Sequence, residues 1–106
     1  MENSLFDLSG RIALVSGAAS GMGRAMAIGF AEAGADLMLA DINTEGMENT
    51  AALVEKMGRR VLPITCDVSQ PNLIRAMFNQ LDQKYGRIDI LGNVAGEGVL
   101  TRAEEI

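Results

Sequence analysis

Ser16-Gly17-Ala18-Ala19-Ser20-Gly21-Met22-Gly23 follows an apolar run, Ile12-Ala13-Leu14-Val15, and leads directly into a helical pattern. A strand that turns through glycines into a helix N-terminus makes a cradle for a diphosphate. Backbone N–H groups point outward there, and the helix dipole puts about half a positive charge at that end. In such a turn Gly17 lets the chain leave the strand tightly, Gly21 lets a phosphate approach the backbone, and Gly23 lets the helix lie close to the sheet. Ser20 and Met22 lie between these glycines. The spacing is G-x-x-x-G-x-G, which is neither the G-x-G-x-x-G fingerprint nor a phosphate loop ending in G-K-[ST].

Three further stretches carry suitable groups. Asp41 ends the second apolar run, 20 residues after Gly21, a distance at which a carboxylate accepts hydrogen bonds from an adenosine ribose. A hydrogen bond to a charged group is worth about 1.5–3 kcal/mol. A 2′-phosphate at the same place meets a like charge, with a repulsion of about 4 kcal/mol at 4 Å and an effective dielectric of 20. No arginine at position 20 or 42 offsets it, so the pattern predicts NAD over NADP. The alternative is that Asp41 and Asn43 only begin the next helix. Asp67-Val68 follows the third run and either meets the adenine amino group or leads into the third helix with Ser69 as its cap. Gly92-Asn93-Val94-Ala95-Gly96 ends the fourth run, either as an open crevice wall for a ribose or as a glycine-rich exit loop.

The elements that must position these groups follow from periodicity. Short apolar runs at residues 11–16, 36–40, 61–65 and 88–93 alternate with helical patterns, a β-α-β-α-β-α-β order that predicts a parallel α/β sheet. Each candidate group then lies at the carboxyl edge of its strand, where open α/β sheets bind ligands. The first helix is expected over 21–33 with Gly34 as its stop; Ala25, Gly29 and Ala33 form its inner side, with Met22, Met26 and Phe30 on the same stripe. The second is expected over 44–57, with Met47, Ala51, Val54 and Met57 inward and Gly58 as the stop. The third starts after Ser69 with Pro71 in its first turn, carries Leu73, Ile74, Met77, Phe78, Leu81 and Tyr85 inward, and ends at Gly86.

Composition narrows the function classes. The chain has 106 residues, 48% of them hydrophobic, enough for one core and no more than one domain. A net charge of −5 with scattered Lys and Arg excludes a basic stripe, so nucleic acid is not an expected partner. There is no histidine, which removes His-based catalysis and the commonest metal site, so no metal is expected. Cys66 is the one cysteine and reads as a small buried residue. No apolar stretch suits a secretion signal or a membrane span, and a reducing, cytoplasmic location is expected.

These motifs together resemble the N-terminal half of a short-chain dehydrogenase/reductase. The family's T-G-x-x-x-G-x-G turn corresponds to Ser16–Gly23, with serine keeping the hydroxyl, and implies that the backbone near Ser20–Met22 touches the diphosphate. Its strand-two acidic residue for NAD corresponds to Asp41, with Ile42 beside the adenine; its Asp-Val adenine contact corresponds to Asp67-Val68. Its N-N-A-G motif corresponds to Asn93-Val94-Ala95-Gly96, with the second asparagine replaced by valine; Gly92 stands where a larger apolar residue is usual. The resemblance implies a Rossmann-type doubly wound parallel sheet with strand order 3-2-1-4, in which right-handed crossovers put the first two helices on one face and the third on the other. It further implies NAD as cofactor, hydride exchange with a small alcohol or ketone, and a homo-oligomer.

The family's proton-transfer residues, a Tyr-x-x-x-Lys pair and a Ser, have no counterpart here. The sole tyrosine is Tyr85, position 89 is aspartate, and Tyr85 reads as a structural residue of the third helix. The expectation is therefore a dinucleotide-binding half, residues 1–106, whose catalytic half lies elsewhere. A capping box at Thr101-Arg102-Ala103-Glu104, a helix just starting, points the same way. The alternatives are a nucleotide-binding module without chemistry and an interaction fragment without cofactor. A half of this fold standing alone exposes an apolar face and a bare strand edge, and is expected to self-associate.

Overall fold

The computed structural model describes residues 7–67 and 69–93; of Asn93 the backbone alone is described. Seven elements follow in order: β1 (Ile12–Ser16), α1 (Gly21–Glu32), β2 (Asp36–Asp41), α2 (Thr44–Lys56), β3 (Val61–Thr65), α3 (Pro71–Lys84) and β4 (Ile90–Asn93). They form the expected four-stranded parallel sheet in the order β3-β2-β1-β4. The register pairs Ser16 with Ala40 and Asn93, and Asp41 with Thr65. All four strands thus end level, so the Gly-rich turn, Asp41 and the chain leading to Asp67 share one edge.

The side chains explain this order. All five residues of β1 are buried, as a strand covered on both faces requires. Alternation sends Ala13, Val15, Leu37, Leu39 and Val61 to one face, where α1 and α2 cover them with Ala27, Ala31, Met47, Ala51 and Val54. Leu14, Met38 and Ala40 face the other way, against Met77, Phe78 and Leu81 of α3. Cys66 belongs to this second cluster, a small buried residue as its type suggests. Pro63 is compatible with β3 only because β3 is an edge. The Cys66 amide donates to Asp41 O at 3.0 Å, so Leu62 and Ile64 face β2 as well, and the missing N–H of Pro63 points away from the sheet.

Among the described residues the cover on the α3 side stops short of β4, where Leu91 remains 42% exposed. Gly92 does not leave a hole in this thin strand. A Cβ there would collide with the sulfur of Met26, which fills the place of the missing side chain from α1.

The inner face of α1 differs from the periodicity reading. Gly23, Ala27 and Ala31 are buried, whereas Ala25 and Gly29 are exposed and Met22 is 69% exposed. Both rows consist of small residues, so hydropathy does not separate them. The close approach of Gly23 to the turn decides the rotation, and Met26 and Phe30 then flank the core instead of leading it. At the outer ends of their stripes, Met57 and Leu73 are likewise exposed. Ser69 does not cap α3: the N-cap is Gln70, with no side-chain cap bond, and Pro71 takes the first helical position.

Candidate dinucleotide site

The turn between β1 and α1 is closed by the chain's own groups. Gly17 has φ +76°, a left-handed conformation that only glycine adopts without strain, and its amide donates to Ala40 O at 2.8 Å. The Ser20 hydroxyl donates to Gly17 O at 2.8 Å and accepts the Gly23 amide at 3.0 Å, so it closes the turn and caps α1 at once. A Cβ on Gly23 would collide with the Gly17 carbonyl oxygen and lie 2.7 Å from its carbon and 3.0 Å from Ala18 Cα. Gly23 is therefore required by contact with the turn itself. Gly21 differs: a Cβ there meets nothing within 4 Å, and the space outside it is open.

The donors divide accordingly. Ala18, Ala19, Ser20, Gly23 and Arg24 amides all bond within the protein. Among the described residues the amides of Gly21 and Met22 have no partner, and both residues are exposed at the positive end of the α1 dipole. No acidic side chain stands in the first turn of α1 to neutralise that end. Two adjacent outward N–H groups at a helix start can bind an anionic oxygen.

Asp41 lies beside this turn and reaches it. Its Oδ2 accepts the Ala19 amide and its Oδ1 the Asn43 amide, both at 2.8 Å. Each carboxylate oxygen keeps a second lone pair for a hydroxyl donor. Ile42, the next residue, is 67% exposed and offers an apolar surface at the same edge. The start of α2 is fastened there too, by Asn43 capping the Gly46 amide and by a 2.6 Å contact between the Thr44 and Thr65 hydroxyls.

Asp67 accepts both the hydroxyl and the amide of Ser69, at 2.7 and 3.0 Å, and these bonds hold its carboxyl below the usual range. It is thus held as an ionised acceptor two residues beyond β3. Asn93 ends β4 opposite Ser16, at the same edge. Val68, Ala95 and Gly96 lie outside the described residues.

Two residues at the site carry no signal in the motif. Thr50 of α2 is fully buried and donates to Ala18 O at 2.9 Å; Arg24 of α1 donates through Nε to the Thr50 hydroxyl at 2.9 Å and through Nη2 to Gly46 O at 3.2 Å. The available hints were a polar residue inside the apolar row of Met47, Ala51 and Val54, and a cation at a helix start, where the dipole disfavours it.

Tyr85 lies away from all of this. Its hydroxyl donates to Leu37 O at 2.8 Å, near the opposite end of β2 and about 13 Å along that strand from Asp41. Burial pushes its pKa up to about 12, despite Arg60 5.0 Å above the ring. A proton-transfer tyrosine needs the reverse shift. Tyr85→Phe is expected to lower stability by about 1 kcal/mol in a urea titration and to leave dinucleotide affinity unchanged. Among the described residues no group of three or more His, Cys, Asp or Glu side chains is placed to hold a metal ion, and no helix is long and apolar enough to cross a membrane.

Comparison with known proteins agrees with this geometry. The family model described as enoyl-(acyl carrier protein) reductase matches residues 17–105. D-threitol dehydrogenase of Mycolicibacterium smegmatis is 41% identical over 101 residues, covering 95% of this chain and 39% of that protein. A hydroxysteroid dehydrogenase from Escherichia coli superposes with a TM-score of 0.82 at 32% identity, over 89% of this chain and 40% of that one. L-Sorbose reductase from Gluconobacter frateurii, solved with NADPH and L-sorbose, gives a TM-score of 0.81 at 34% identity, over 95% of this chain and 39% of that one. The chain thus spans about two fifths of the length of these relatives. With the turn, the strand order and these matches in agreement, the chain belongs to the short-chain dehydrogenase/reductase family.

Proposed function

We propose that this chain is the dinucleotide-binding half of an NAD-dependent oxidoreductase that exchanges hydride with a small alcohol or carbonyl compound. The observation that carries the reading is the pairing of two outward amides, Gly21 and Met22, with a carboxylate, Asp41, tied to the same turn. The amides suit the diphosphate. Asp41 suits the ribose hydroxyls and opposes a 2′-phosphate. Ile42 and Asp67 suit the adenine, as an apolar surface and an ionised acceptor. Val68, Asn93, Ala95 and Gly96 complete the set by the family resemblance. When bound, NAD supplies the nicotinamide carbon that takes or gives the hydride.

Within residues 7–67 and 69–93 no side chain is assigned to proton transfer, and the acid/base residues are proposed to lie in a further segment of polypeptide. The complete enzyme is proposed to be cytoplasmic and homo-oligomeric. The lone buried thiol of Cys66 supports a reducing compartment, and the partly exposed β4 supports further packing at that edge.

Calorimetric titration tests the cofactor assignment. NAD is expected to bind tighter than NADP by about 10- to 1,000-fold, the span that a screened like-charge repulsion at Asp41 allows. Equal affinities, or a preference for NADP, contradict it.

A further inference from the structure

The Ala18–Ala19 peptide unit is held at both of its polar ends. Its carbonyl accepts the Thr50 hydroxyl at 2.9 Å, and its N–H donates to Asp41 Oδ2 at 2.8 Å. Two bonds at opposite ends of one rigid plane fix its rotation. That rotation sets the direction in which the next residues, including Gly21 and Met22, present their amides.

Thr50 is an unusual choice for its position. It is fully buried in a row otherwise made of Met47, Ala51 and Val54, where valine has nearly the same shape without a hydroxyl to satisfy. Arg24 fixes what that hydroxyl does. A guanidinium only donates, so Thr50 Oγ1 accepts from Arg24 Nε, and its own proton remains for a carbonyl. Ala18 O is the nearer acceptor at 2.9 Å, against 3.3 Å for Gly46 O. Arg24 holds this arrangement from a helix start, where its charge opposes the dipole.

We infer that Thr50, oriented by Arg24, is a positioning residue for the diphosphate turn, one jaw of a clamp whose other jaw is Asp41. The inference rests on the proposed reading of the turn as a diphosphate site. It also couples two parts of that site, because the carboxylate assigned to the ribose is the one that holds the turn.

The test uses the full chain, with ADP as the calorimetric probe, amide exchange at Ala19 without ligand, and thermal melting. Thr50→Val keeps the volume and removes the hydroxyl. It is expected to weaken ADP about fivefold to tenfold and to speed Ala19 exchange by a similar factor. Thr50→Ser keeps the hydroxyl and loses a buried methyl. It is expected to melt lower than the parent while holding ADP affinity and Ala19 exchange within about twofold. Affinity that follows melting temperature across both variants overturns the inference, as does Thr50→Val behaving like the parent. If the parent chain binds no ADP, the proposed function fails. Ala19 exchange then decides the clamp alone: acceleration in Thr50→Val supports it, and no change overturns it.

Discussion

Gly23→Ala is expected to destabilise the chain by about 2–3 kcal/mol and to abolish dinucleotide binding. The added methyl would meet the Gly17 carbonyl group and Ala18 Cα, all backbone, with no flexible side chain to move aside. Relief requires α1 to retreat from the turn, which lifts Ala27 and Ala31 from the core and redirects the Gly21 and Met22 amides. Gly21→Ala is the matched control. Its methyl meets no protein atom within 4 Å, so the urea midpoint should stay close to that of the parent. The methyl nevertheless lies where a phosphate oxygen would approach, and NAD affinity should fall. Two neighbouring glycines of one motif thus have different causes, one steric within the fold and one proposed to leave room for the ligand. A Gly21→Ala chain as unstable as Gly23→Ala would contradict this division.

Asp41→Ala is expected to weaken NAD by about 10- to 100-fold in calorimetry, since it removes the acceptor proposed for the ribose and the bond to the turn together. NADP affinity should not rise to match. Relief of the like-charge repulsion favours NADP, but the lost bond to the Ala19 amide loosens the cradle that both cofactors need. Asp41→Asn separates the effects. Its amide oxygen can still accept one backbone N–H, so the turn is better kept while the charge is gone. The NAD-to-NADP ratio should therefore narrow in both variants, with the smaller loss of NAD affinity in Asp41→Asn. A ratio unchanged in both would remove Asp41 from cofactor selection.

Much of this site was legible in the sequence because its parts are local or periodic. Ser16 to Gly23 lies in one turn, and Asp41 and Asp67 each follow an apolar run whose carboxyl end lies at the ligand edge of a parallel sheet. Strand order came with the family resemblance, and the handedness of crossovers then fixed which helices cover which face. The inner face of α1 was not legible, because Ala25-Gly29-Ala33 and Gly23-Ala27-Ala31 are equally small rows. A backbone contact outside the helix selects between them. The Thr50–Arg24 pair was missed because its meaning lies between α1 and α2, and each residue alone looks like an ordinary helical position. Asp41 was read as a ribose ligand. Its bond to Ala19, 22 positions away, adds a second role that spacing does not reveal.

The turn at residues 16–23 is proposed to hold the diphosphate of NAD through two specific amides, those of Gly21 and Met22. Amide chemical shifts of the isotopically labelled chain, followed through a titration with NAD, test it most directly. The largest saturable shifts are expected at Gly21 and Met22, with smaller ones at Ile42. NAD-induced shifts concentrated elsewhere, or none at saturating NAD, would contradict it.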